Sequence, residues 1–349
     1  MKMKKIYIIT LLSAILAGMF TSCENGGWEF PDFEYTAVYF AYQNPVRTIV
    51  LGEDIFDTTL DNEYKCQIMA TMGGVYENKH DVEISIRVDD SLVDELIFRK
   101  DEDSDPDIPV LPMPKNYYSL SSDKIVIEKG SILGGVTVQL TEAFFNDPLA
   151  LSTNYVIPVV MTGVVNADTI LSGIPRVDNP RRAVNEDWEQ LPKDYVMYAV
   201  KYINQYDANY LRRGVDVISG EQSATIKRRA EYKEQDEVID KISTQSLNTI
   251  LWDHTLLDAN GIPHDSELRI TFNSQGDATV SSETTGVTVS GSGKFVPRGE
   301  KNGWGEKERD ALYLDYTIDY GAIQVSTKDT LVVRDRGVRA EWFTPVLKD

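Results

Sequence analysis

The sequence predicts a mainly β protein: an N-terminal Ig-like β-sandwich followed by a lipocalin-like (calycin) antiparallel β-barrel. Three observations predict it. Short runs rich in Val, Ile, Thr and aromatic residues recur along most of the chain, and several alternate apolar with polar residues at period 2, as half-buried strands do. No sustained amphipathic helical pattern interrupts them. A proline-bearing, polar stretch at 176–192 parts two strand-rich blocks.

Residues 1–22 read as a leader and not as fold. Lys2, Lys4 and Lys5 precede an apolar run over 6–20. A run of about fifteen residues is short for a membrane span and suits the core of a signal peptide. It ends at Phe20-Thr-Ser-Cys23, small residues before a lone Cys. That arrangement predicts cleavage and acylation at Cys23, the thiol taking the lipid and the small side chains fitting the peptidase. The alternative is an ordinary secretory leader with a chance Cys. Residues 23–34, which include Trp28, read as a tether dominated by Gly, Pro and acids. Anchoring by two or more acyl chains is stable, because each buried methylene contributes about 0.8 kcal/mol.

The sandwich is expected over 35–175. Thr36-Ala-Val-Tyr-Phe-Ala-Tyr42 is aromatic and β-prone, and runs at 47–51 and 64–72 follow, the last closed by Gly73-Gly74. Val82-Glu-Ile-Ser-Ile-Arg-Val88 alternates strictly. Runs at 117–120, 124–128, 135–140 and 154–161 complete seven or eight short strands, roughly the spacing of a sandwich. Residues 100–114 carry five acids and four prolines and read as a loop; 141–149 reads as a short helical turn. The linker 176–192 contains Trp188. The barrel is expected over 193–349, with strands at 195–203, 209–218, 223–232, 268–272, 278–280, 286–296, 311–320 and 329–334. Leu312, Leu314, Tyr316, Ile318 and Tyr320 share one face. Roughly eight or nine up-and-down strands suit a small closed barrel, packed or holding one small ligand.

Composition narrows function. Formal net charge is −20, and the leader holds three Lys and no acid, so its removal leaves the remainder more acidic. Such a surface repels nucleic acid and anionic headgroups and suits neutral or cationic partners. With Cys23 acylated, Cys66 is alone and forms no intramolecular disulfide; in its β-prone run it reads as a small buried apolar residue. His80, His254 and His264 lack metal-ligand spacing and read as surface or loop residues, so no metal or cofactor is expected. No Gly-x-Ser-x-Gly elbow occurs, and the many acids single out no glycosidase pair. The acidic stretch 101–107 lacks the turn glycine and closing glutamate of an EF-hand and reads as a solvated loop. Lys328-Asp329 and Arg334-Asp335-Arg336 read as exposed cross-strand ion pairs at a barrel rim.

Aromatics are the remaining candidates. Sugars present flat C–H faces that stack on Trp and Tyr. Trp252, Trp304 and Trp342 fall in the expected barrel domain and are the candidate glycan-binding residues. Trp304, in the polar Gly-rich run 299–310, is either a sugar platform or a plug over the barrel mouth.

Several stretches carry a family resemblance. The lipobox-like Cys23 site, with Phe20 where Leu is usual, together with Tyr39-Phe-Ala-Tyr-Gln-Asn-Pro-Val-Arg-Thr-Ile-Val-Leu-Gly-Glu-Asp54, Asn116-Tyr-Tyr-Ser-Leu120, Val136-Thr-Val-Gln-Leu140 and Tyr155-Val-Ile-Pro158, resembles the start of Bacteroidetes surface lipoproteins. That domain is also similar to one preceding the catalytic barrel of some family-18 endo-β-N-acetylglucosaminidases. Tyr210-Leu-Arg-Arg-Gly-Val-Asp216, Gly303-Trp-Gly305, Arg309-Asp-Ala-Leu-Tyr-Leu-Asp-Tyr316 and Thr327-Lys-Asp-Thr-Leu-Val-Val-Arg-Asp-Arg-Gly337 resemble the barrel-like domain found with it. The chain lacks the Asp-x-x-Asp-x-Asp-x-Glu motif of those enzymes. The resemblance implies a non-catalytic glycan-binding lipoprotein of a polysaccharide-utilisation system, held at the outer membrane by lipid alone and facing outward. Its implied partners are an oligo- or polysaccharide, host N-glycans among them, and an outer-membrane transporter or other proteins of that system. The alternatives are an accessory lipoprotein that binds a protein partner, and an unrecognised glycoside hydrolase.

Overall fold

A computed structural model describes residues 35–98 and 108–348. The leader, Cys23, the tether and the acidic loop 101–107 lie outside the described residues.

Two sheets form the sandwich. One runs Thr169–Ile170, Ala37–Tyr39, Lys65–Gly73, Leu133–Leu140, Tyr118–Leu120. The other runs Glu341–Trp342, Pro45–Val50, Tyr195–Ile203, Tyr155–Val165, Val82–Val88, Lys124–Ile127, with Leu111–Pro112 beside Tyr155–Val165. Alternation decides the inward face: Val82, Ile84 and Ile86 are buried, and Arg87 is exposed. They meet Ile68, Val136 and Val138 of the facing sheet in one apolar core. Tyr155–Val165 breaks the alternation, being buried at each of its first seven positions. The cause is a second apolar layer: Val156 and Val160 pack outward against Leu96, Phe98 and Val110. A strand covered on both faces reads as a continuous apolar run.

The expected boundaries, 35–175, 176–192 and 193–349, do not match the observed units. Tyr195–Ile203 does not open the barrel. It pairs antiparallel with Tyr155–Val165 and parallel with Pro45–Val50, inside the sandwich sheet. Its residues explain why: Val196, Tyr198, Val200 and Tyr202 enter the main core, while Tyr195, Met197 and Ala199 enter the outer layer. A barrel strand facing solvent could not bury both sets. The C-terminal segment also returns to the sandwich, Glu341–Trp342 on Pro45–Val50 and Pro345–Leu347 on Leu96–Phe98.

The barrel proper starts at Ala208–Gly220 and ends at Ile323–Asp335, and these two close it on each other from Asn209–Asp335 to Gly220–Ile323. Between them run Thr249–Leu257, Pro263–Phe272, Asp277–Ser281, Thr288–Trp304 and Lys307–Asp319. The eighth position is shared. Ala224–Arg228 pairs with the second half of Ala208–Gly220, and Glu237–Ser246 pairs with its first half. One wall strand is therefore split by an excursion over 229–236. Glu237–Ser246 and Thr249–Leu257 go beyond the sequence reading; the first is polar, and neighbours on both edges hold it extended. Leu312, Leu314, Tyr316 and Ile318 face inward, as their shared phase predicts.

Arg336 fixes the joint between the units. It is buried, and its guanidinium donates to the carbonyls of Leu51, Asn204 and Asp207. The expectation of an exposed rim charge fails here: Arg336 follows the last barrel strand directly, and the sandwich loop after Pro45–Val50 folds over it.

Candidate functional site

The three candidate tryptophans are separated by the fold. Trp252, on Thr249–Leu257, points into the barrel and is 2% exposed. The Arg212 guanidinium lies 4.9 Å from its ring centroid, and the His254 ring meets it edge-on at 4.8 Å. No sugar can stack there, so its assignment as a platform is corrected. Trp304 ends the strand Thr288–Trp304 at a two-residue turn in which Gly305 and Glu306 both take positive φ. It is half-buried, with Arg334 5.6 Å from its ring centroid. The run 299–310 is thus a long hairpin and not a loose loop.

Trp342 belongs to the sandwich edge and not to the barrel. It pairs with Pro45 and is 56% exposed. Tyr42, 61% exposed, stands beside it with ring centroids 5.7 Å apart at 48°. Two open aromatic faces meet there at an angle. The neighbouring Glu341 carboxylate, also partly exposed, accepts from Lys201 Nζ at 2.7 Å. An open pair of aromatic rings can hold a ring that is apolar on its face.

The barrel holds a second cluster that sequence reasoning missed. Arg212, Asp216 and Asp329 are buried inside it, together with Tyr316, Thr327 and His254. Asp329 accepts from Arg212 Nε at 3.0 Å, from Arg228 Nη2 at 2.6 Å and from the Tyr316 hydroxyl at 2.9 Å. Asp216 pairs with Arg228 and accepts from Thr327 Oγ1 at 2.8 Å. Gly214 faces the layer; a Cβ there would stand 2.2 Å from Asp329 Oδ1, so only glycine leaves room for the pair. The layer lies between apolar ends, with Tyr206, Phe272 and Phe295 in one cluster and Ile218, Leu256 and Ile323 in the other.

Electrostatics follows from burial. Burial pushes the Asp329 carboxyl up, but Arg212 and Arg228 outweigh it and hold the group below its ordinary range. Burial, reinforced by Arg212, pushes His254 down to about 3, so the imidazole is neutral at ordinary pH. His254 Nε2 lies 3.1 Å from Arg212 Nη2, a pure donor, which places the ring proton on Nδ1. Every strong acceptor in the layer is committed to a guanidinium or a hydroxyl, which leaves no general base poised for proton transfer. The reading of His254 as a surface residue is corrected: it alternates in phase with Trp252 and Leu256. The reading of Asp329 as a rim charge is corrected likewise: it is in phase with Val325, Thr327 and Leu331. Lys328, one residue away, is exposed and pairs with Asp315.

Cys66 is buried and its thiol is pushed up to about 12 by burial, which fits a small core residue and makes it a poor nucleophile. Among the described residues no group of three or more His, Cys, Asp and Glu could hold a metal ion.

Residues 205–337 match the model of a domain of unknown function, DUF5627, and residues 33–168 match the model of an N-terminal domain. No curated protein matches the chain. A Bacteroides ovatus protein of unknown function, with a crystal structure at 2.40 Å, is 46% identical with a TM-score of 0.83; the likeness covers 90% of this chain and 100% of that one. A Bacteroides ovatus multidomain protein including DUF1735 is 10% identical with a TM-score of 0.38, over 88% of this chain and 100% of that one. A candidate carbohydrate binding protein from Bacteroides ovatus ATCC 8483 is 12% identical with a TM-score of 0.25, over 90% of this chain and 100% of that one. Likenesses that low carry no argument about fold or ligand. At 46% identity over the whole of its relative, this chain belongs to the same family as the Bacteroides ovatus protein of unknown function.

Proposed function

We propose that the protein is a non-catalytic, glycan-binding lipoprotein of a polysaccharide-utilisation system, anchored in the outer membrane through Cys23 and facing outward. The observation that carries the binding half is the Trp342–Tyr42 corner: two exposed rings 5.7 Å apart on a sheet edge. Exposed aromatic area of this kind gains free energy when an apolar face covers it. The acidic surface favours a neutral glycan over an anionic polymer. The resemblance of the stretches 39–54, 116–120, 136–140 and 155–158 to the domain preceding the catalytic barrel of some family-18 endoglycosidases makes host N-glycans the first class to try.

A glycan array probed with the chain from residue 24 tests the reading, followed by titration of any hit. Trp342→Ala is expected to weaken binding by more than about 1 kcal/mol, the loss typical of a central aromatic contact. Unchanged affinity in Trp342→Ala and Tyr42→Ala would remove the site. Labelled palmitate incorporated by the wild type and lost in Cys23→Ala tests the anchor.

A further inference from the structure

The split wall strand opens the barrel from the side. Ala224–Arg228 has, among the described residues, no strand on its outer edge. Thr249–Leu257 pairs toward it only through 249–251, where it meets Glu237–Ser246. The two edges face a cavity of about 400 Å³, in the range of small-ligand sites. Its floor is the charged layer, through Arg212, Asp216 and Arg228; Ile226 and Leu256 give it an apolar wall.

Most donors of the two guanidiniums are spent inside the barrel. Arg212 uses Nε on Asp329 and Nη2 on His254 and Tyr316; Arg228 uses Nη1 on Asp216 and Nη2 on Asp329. Arg212 Nη1 and Arg228 Nε remain, and both turn to one carboxylate, Glu237. Its Oε2 stands 3.8 Å from the first and 3.9 Å from the second, beyond hydrogen-bond range of either. Arg228 Nε is buried with no hydrogen-bond acceptor. Glu237 itself is 47% exposed at the mouth. A buried donor without an acceptor costs roughly 1–3 kcal/mol, which an acceptor of the right reach recovers.

We propose that this side opening is a second binding site, for a small hydroxylated carboxylate of the sugar-acid class, whose carboxylate displaces Glu237 and bonds Arg212 Nη1 and Arg228 Nε. Glu237 stays tethered at the mouth, so its charge opposes that of the incoming carboxylate. The ring lies against Ile226 and Leu256, and its hydroxyls reach the polar rim at Thr255 and Gln235. The site is independent of the Trp342 corner.

Titration calorimetry of the purified chain with glucuronate, and with glucose as the uncharged control, tests it. Glucuronate binds and glucose does not. Glu237→Gln removes the competing charge from the exposed mouth and tightens glucuronate binding about fivefold, the effect of one like charge near 4 Å in a wet site. Arg228→Gln abolishes it. If Arg228→Gln fails to fold by circular dichroism, Glu237→Gln carries the test alone. Trp342→Ala leaves glucuronate binding as it was, so this site and the aromatic corner fail separately. No heat with glucuronate, equal binding of glucose, or unchanged or weaker binding in Glu237→Gln overturns the proposal.

Discussion

In the sandwich, side chains from two sheets meet in a core rich in Val, Ile, Phe and Met, and the buried carboxylates Asp61 and Asp194 each pair with one arginine, Arg47 and Arg182. In the barrel, the apolar filling stops partway and charged side chains take over. The difference teaches where each unit keeps its specificity. A sandwich core tolerates any set of apolar shapes that fill it. A buried ion network tolerates little, because removing one member leaves the others without their partner charge. Glycine at 214 and glycine at 291, where a Cβ would stand 2.3 Å from Tyr316 Cβ, show neighbouring strands giving way to that layer.

The largest expected effect breaks the network at its centre. Asp329→Ala leaves Arg212 and Arg228 facing each other across a buried space and should cost about 3–5 kcal/mol in urea unfolding. A loss below about 1 kcal/mol would mean that the layer is solvated and the contrast between the two cores is wrong.

A smaller effect is the pH slope. His254 binds its proton only near pH 3 when folded, against about 6.5 unfolded. Between those values the unfolded chain takes up a proton that the folded chain refuses. Stability contributed by the neutral ring is complete above about pH 6.5 and falls on acidification, by at most about 1.4 kcal/mol per pH unit. Asp329, held below its ordinary value, adds its own loss only when pH falls beneath about 3.9. Melting temperatures measured from neutral pH toward pH 4 should fall less steeply in His254→Gln, which keeps an acceptor near Arg212. Equal slopes would place the ring in water. The smallest effect is at Lys328, beside Asp329 in the chain but on the outer face; Lys328→Ala should leave the urea midpoint unmoved.

Residue patterns explain what was legible. Val82–Val88 and Lys307–Asp319 alternate so regularly that their inward faces can be read without any partner. Asp329 was legible in part: it shares the phase of Val325 and Leu331, which marks it as inward. What makes an inward acid tolerable is a partner, and Arg212 and Arg228 lie 117 and 101 positions away in the chain. Nothing local announces that pairing, so a rim charge was the simpler reading. Trp342 was misplaced for the same reason, since its neighbour Pro45 comes from the other end of the chain.

By itself, then, the sequence determined the β class, the faces of its regular strands and the expectation of a lipidated leader, because period, propensity and peptidase fit are properties of adjacent residues. Tertiary structure decided the rest: which unit owns Tyr195–Ile203, that one barrel strand is split, that Trp252 is core while Trp342 is surface, and that four charges meet inside the barrel. Those outcomes depend on which edges meet, and edge pairing is settled by the whole chain closing on itself.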